Sequence, residues 1–136
     1  MIDLHTHSTA SDGADSPAAL LLHAERAGIH TLAITDHDTL AGVAEAASIP
    51  SPVTLIPGIE LSTRILDETD PASRSAHLLG YFLAPPPASF TSWLETLKQN
   101  RRKRNLEMAR LPQLQGMAIT IEEAESLGRN ITGRPH

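Results

Sequence analysis

Residues 2–7 set apolar Ile2 and Leu4 alternately with Asp3 and His5 and read as a strand, whose two-residue period puts His5 and His7 on one face. The next periodicity is helical. Leu20, Leu21, Ala24 and Ala27 line one face, Ser16 and Pro17 supply an N-cap and a first helical proline, and Gly28 supplies a stop. Residues 29–35 are β-rich and nearly free of polar groups, as expected of an inner strand covered on both faces. They lead into Asp36-His37-Asp38, where Asp38 or Thr39 can cap a helix from Leu40 to about Ala47. A proline- and serine-containing turn at 48–52 precedes a third strand, 53–56, which runs into Pro57-Gly58-Ile59-Glu60-Leu61-Ser62. Residues 66–75 are polar and acidic and read as a surface loop, and 77–82 read as a fourth strand opening with His77.

Pro85 to Pro87 form a short rigid joint, after which the pattern changes. Trp93, Leu94, Leu97, Arg101, Arg104 and Met108 recur at three- and four-residue steps, which predicts a long helix over 90–111 ended by Pro112. A basic group, Lys98, Arg101, Arg102, Lys103 and Arg104, crosses its middle. Thr120 and Glu123 match a capping box for a short helix, 121–127, stopped by Gly128. Strands alternating with helices place the chain in the α/β class with a mainly parallel sheet.

The length of 136 residues and 40% hydrophobic content suit one domain, or one incomplete domain, with a real core. A net charge of -5 gives no general reason to expect nucleic-acid wrapping. No cysteine is present, so neither disulfides nor thiolate metal sites are available and ligands must come from His, Asp and Glu. With no signal-like start and no apolar run of spanning length, the expected setting is soluble and cytoplasmic, without a membrane partner.

The chemistry is concentrated at strand ends. His5 and His7 share a face about 7 Å apart at Cα, so they can share an ion; alone, they could equally be a partly exposed pair on an edge strand. Asp12 follows in a turn, and Glu60 ends an apolar strand, where a buried carboxylate needs a partner. In a mainly parallel sheet such ends gather on one rim. His5, His7, Asp12, His37, Glu60, His77 and His136 are therefore candidate metal ligands. Five imidazoles and two carboxylates suit two or three divalent ions, and N/O donors suit Zn, Mn or Fe better than calcium. Asp3 and Asp36 can support ligands from behind, while His23 and His30 have no motif around them. Paired ions would clamp a phosphoryl group, although amidohydrolases use similar sites.

Five ordered motifs carry a resemblance: D-L-H-T-H-S-x-x-S-D-G from Asp3, A-I-T-D-H-D from Ala33, P-G-I-E-L-S from Pro57, H-L-L-G from His77 and G-R-P-H from Gly133. Together they resemble the PHP (polymerase and histidinol phosphatase) superfamily, in particular its nucleoside 3',5'-bisphosphate phosphatase and 5'-3' exonuclease members. The resemblance implies a distorted (β/α)7 barrel, here incomplete at its C-terminal side. Residues 1–136 would be the N-terminal portion of a PHP domain, with 85–136 a helical region inserted in or appended to the barrel. It also implies that His5 and His7 hold a first ion, that Glu60 bridges to a second completed by His77 and His136, and that Asp12 and His37 serve a third. The family's late D-x-H motif is absent here. The implied reaction is attack of a metal-bound hydroxide on the phosphorus of phosphomonoesters or phosphodiesters, in a nucleotide or oligonucleotide end. Arg134 is the expected phosphate clamp by resemblance, and Arg101 or Arg104, on one helical face, a second. Without the late ligands, weak or no turnover is expected, and the apolar edges of an incomplete barrel would leave the chain poorly stable, self-associating or in need of a missing segment. An amidohydrolase-like enzyme and a non-catalytic PHP module are the competing readings.

Overall fold

Leu32, Ala33 and Ile34 are almost wholly removed from solvent, as their unbroken apolar run requires of a strand with neighbours on both edges. In the computed structural model, which describes residues 1–67, 70–114 and 122, they lie in β2 (Thr31–Ile34). Parallel pairing joins β2 to β1 (Ile2–Thr6) on one side and to β3 (Thr54–Asp67) on the other. β4 (Asp70–Tyr81) adds to β3 antiparallel, giving the order β1-β2-β3-β4. The chain divides into two compact units, Met1–Ala84 and Pro85–His136.

Two helices cover one face of the first unit's sheet. α1 (Pro17–Arg26) starts where the Ser16 hydroxyl accepts the Ala19 N–H at 3.2 Å. It ends on Gly28, whose φ of +71° few other residues adopt without strain. There the Gly28 N–H donates to the Glu25 carbonyl at 3.0 Å and the Ile29 N–H to the Ala24 carbonyl at 2.8 Å, the paired bonds of a Schellman stop. With α2 (Ala41–Ala47), α1 closes a core of Leu21, Ala24, Leu32, Ile34, Val43, Ala46 and Val53.

Three expectations need correction. α2 is capped by neither Asp38 nor Thr39: its N-cap is Leu40, and the Thr39 hydroxyl only accepts the Ala41 N–H at 3.2 Å. Asp38 instead takes a left-handed φ of 52° and turns its carboxylate to the Ser62 N–H at 2.8 Å, so it serves β3. The loop expected over 66–75 is strand wherever it is described, since β3 and β4 form a long hairpin paired from Gly58↔Tyr81 out to Asp67↔Asp70. Finally, α3 (Ala88–Leu114) in the second unit runs past Pro112 to Leu114: a proline's φ is compatible with a helix, although it lacks the N–H that the helical ladder would use. The expected helix at 121–127 and its capping box lie outside the described residues, apart from residue 122. Among the described residues, no helix is long and apolar enough to cross a membrane.

The Tyr81 hydroxyl donates to the Leu4 carbonyl at 2.8 Å. Flat strands would hold β1 and β4 about 14 Å apart, beyond the reach of one side chain. The sheet is therefore curled, and its curl carries β1 towards the ends of β3 and β4.

Candidate metal centre

Glu60 stands at the middle of this curl. Its backbone N–H and carbonyl are both fastened to the segment after β2, the Glu60 N–H donating to the Asp36 carbonyl at 3.2 Å and the Asp38 N–H to the Glu60 carbonyl at 3.0 Å, so residues 36–38 prolong β2 alongside β3. Only 4% of the residue is exposed. A carboxylate so placed needs donors, and histidines supply them. Oε2 lies 2.9 Å from His5 Nε2 and 2.7 Å from His7 Nε2, while Oε1 lies 2.6 Å from His77 Nδ1.

β1 delivers His5, and His7 follows its last residue, so the two-residue period sets both on the Glu60 side. His7 Nδ1 is also 2.7 Å from Asp12 Oδ1. His7 thus stands between the Glu60 and Asp12 carboxylates. His37 Nε2 lies 3.6 Å from Asp12 Oδ2 and 3.9 Å from Glu60 Oε2, spacings too long for hydrogen bonds. The four rings form a chain, with centroids 5.3 Å apart for His5 and His7, 4.6 Å for His7 and His37, and 4.8 Å for His37 and His77.

Burial pushes the Glu60 carboxyl up, but the hydrogen bond from His5, the charge on His37, the bond from His77 and the charge on His7 together hold it below its ordinary value. Asp12 follows the same logic: desolvation raises it, and the His7 hydrogen bond with the His37 and His7 charges brings it below the ordinary range. Both carboxylates are thus kept ionised, as ligands for a cation must be.

The donors fall into three overlapping groups, His5–His7–Glu60, His7–Asp12–His37 and His37–Glu60–His77, with the ligand atoms of each within 4.8 Å of one another. The donor set of imidazole nitrogens and carboxylate oxygens fits divalent zinc, manganese or iron. One further observation agrees: the buried His37 Nδ1 has no hydrogen-bond partner.

Of the seven expected ligands, the structure brings six together; His136 lies outside the described residues, as does Arg134. Arg101 and Arg104 belong to α3 in the second unit, where the Arg104 guanidinium donates to Asn105 Oδ1 at 3.3 Å. Asp3 does not reach a ring, since its Oδ1 accepts the His5 backbone N–H at 3.2 Å. Asp36 is engaged by Ser8 and Ser11 rather than by an imidazole. Sequence reasoning missed those two serines and Gly42, which lies against Ser8 and the Asp36 carboxylate. The S-x-x-S-D-G run sets both serines just before Asp12 but carries no pointer to Asp36.

A curled α/β sheet that collects imidazoles and carboxylates at its strand ends defines the class: a metal-dependent hydrolase fold. Residues 3–120 match the PHP domain, and the chain belongs to that family. It is 35% identical over 134 residues to the 5'-3' exoribonuclease of Haemophilus influenzae, a match covering 98% of this chain and 47% of that protein. It is 29% identical over 125 residues to the 3',5'-nucleoside bisphosphate phosphatase of Chromobacterium violaceum, covering 90% of this chain and 42% of that one. A solved structure described as an amidohydrolase from Chromobacterium violaceum, with bound sulfate and no metal, superposes with a TM-score of 0.77 at 27% identity, over 98% of this chain and 46% of its own. The chain thus spans less than half the length of these relatives. Among the described residues, the curled four-stranded sheet corresponds to part of a PHP-type distorted barrel, as the motifs imply.

Proposed function

We propose that this chain carries the metal-binding part of a phosphoesterase that hydrolyses phosphomonoesters or phosphodiesters of nucleotides or oligonucleotide ends, using two or three divalent ions of manganese, zinc or iron. The observation that carries the reading is the division of Glu60, whose Oε2 faces His5 and His7 while Oε1 faces His77. A carboxylate so divided is arranged to bridge two neighbouring ions. Such ions, when bound, neutralise charge on a phosphoryl group and lower the pKa of a water.

The chain's own residues hold and orient. The parallel bridge at residues 36–38 fixes the Glu60 backbone, β1 fixes His5, and His7 links the Glu60 side of the centre to Asp12. His136 is proposed as a further ligand beside His77. Arg134 is proposed to clamp the substrate phosphate, with Arg101 or Arg104 as a second cation. The names of the exoribonuclease and bisphosphate phosphatase relatives support a phosphate ester as substrate. An amide-hydrolysing alternative draws on the same donors and on the described activity of the superposed structure.

The test begins with metal retention. The folded chain, loaded with manganese and desalted, should keep two or more ions, and a longer form of the protein containing it should release phosphate from a 3',5'-nucleoside bisphosphate. Cleavage of amides without phosphate release, or a folded chain that keeps no ion, would overturn the reading.

A further inference from the structure

Asp36 is fully buried, and its carboxylate faces the loop after β1. Oδ1 accepts the Ser8 N–H at 2.7 Å and the Ser11 hydroxyl at 2.6 Å, and Oδ2 accepts the Ser8 hydroxyl at 2.7 Å. Bonds of this length to an ionised acceptor are among the stronger ones a protein makes. The loop closes on the same point: Ser8 Oγ accepts the Ala10 N–H at 3.0 Å, and the Ser8 carbonyl accepts the Ser11 and Gly13 N–H groups at 3.0 and 2.9 Å. Room for the carboxylate exists because residue 42 is glycine. A Cβ there would lie 2.0 Å from Asp36 Oδ2 and 2.6 Å from Ser8 Oγ.

Asp12, by contrast, is weakly held. Half of its side chain is exposed; it has a 2.7 Å bond with His7 Nδ1, a hydrogen bond from its own backbone N–H, a marginal 3.4 Å contact from the Ser11 hydroxyl, and His37 Nε2 3.6 Å away. The residue before it, Ser11, is 1% exposed and tied to Asp36. We infer that Asp36 is a positioning residue for the metal centre: through Ser8 and Ser11 it sets the loop so that Asp12 stands against His7 and His37 before an ion arrives. The role presupposes the metal-dependent reading above. Its chemical sense is preorganisation, since a loop already ordered loses little further freedom when its carboxylate takes up an ion.

Two substitutions spare every ligand: Ser11→Ala removes one of the three bonds, and Asp36→Asn keeps the shape while removing the charge. Manganese titration, with the spin-resonance spectrum distinguishing coupled from isolated ions, reads each site. Losing an outer partner typically weakens metal binding by about 10–100-fold, so the ion using His7, Asp12 and His37 should weaken by that factor. The ion using Glu60 and His77 should stay as in the wild type. Amide hydrogen exchange at residues 8–12 should quicken in the metal-free chain. If Asp36→Asn fails to fold, Ser11→Ala decides. Variants that bind every ion as tightly as a loaded wild type overturn this role alone. A wild type that holds no ion overturns the metal-dependent reading, and this role with it.

Discussion

Glu60→Gln keeps volume and removes one charge, and the geometry says how the loss is divided. Oε2 has two histidine neighbours, at 2.9 and 2.7 Å, and Oε1 has one, at 2.6 Å. A glutamine can present only one oxygen, and the better arrangement keeps it towards His5 and His7, leaving the amide nitrogen against His77. The His37–Glu60–His77 group then loses its only oxygen donor, while His5–His7–Glu60 keeps a weaker neutral one. Substituting an outer partner costs about 10–100-fold in affinity, and a direct ligand more, so the ion nearer His77 should weaken by over about 100-fold, or some 2.7 kcal/mol. Thermal unfolding with and without manganese reads this out. Free ion at about 100 times its dissociation constant stabilises the native state by about 2.7 kcal/mol. At roughly 4 °C per kcal/mol, where the ranges for smaller and larger domains meet, that raises the wild-type Tm by about 11 °C. The variant should lose most of that rise and keep fewer ions after desalting. An undiminished rise with unchanged metal content would refute the bridging role.

The carboxyls of Glu60 and Asp12 sit below their ordinary values of 4.5 and 3.8, and groups depressed in this way stabilise the fold above the ordinary value and cease to do so as pH falls through the lowered one. The metal-free chain should therefore lose stability on acidification below about pH 4.5. Urea unfolding between pH 6 and 3 should show that loss, with a flatter slope in Glu60→Gln; the same slope in both would contradict the assignment. Gly42→Ala pushes a methyl against Asp36 and Ser8, and overpacking of that kind costs about 1–3 kcal/mol. Calorimetry should show a lower Tm, whereas an increase, as helix propensity alone would give, would mean that the crowding is relieved at little cost.

The parts of the fold legible in the sequence are those where burial writes a pattern. β2 is apolar from Leu32 to Ile34, where it is buried, and α1 carries its cap, its apolar face and its glycine stop in order. The outer hairpin was illegible for the opposite reason. Thr63, Arg64 and Ser75 are exposed, so backbone pairing alone defines strand there and no alternation marks it. Asp38 looked like a helix cap because carboxylates commonly cap helices; its attachment to Ser62, 24 residues on, depends on the β2–β3 register. The candidate centre divides in the same way. The spacing of His5 and His7 and the cost of burying Glu60 pointed to a shared site, whereas the bonds from Ser8 and Ser11 to Asp36 span 25 to 28 residues and no local pattern encodes them.

The bond from Tyr81 to Leu4 closes a separation of 77 residues, and His5 and His77 meet at one carboxylate across nearly the same span. Contacts this distant in sequence carry a large closure entropy and are expected late in assembly. A cation seated among these histidines would thus have no complete binding place until β4 has paired with β3 and the sheet has curled. Its effect would fall on the rate at which the native state comes apart, leaving the rate of formation nearly unchanged. The ion would act as a kinetic lock on a topology that the chain must first find without it.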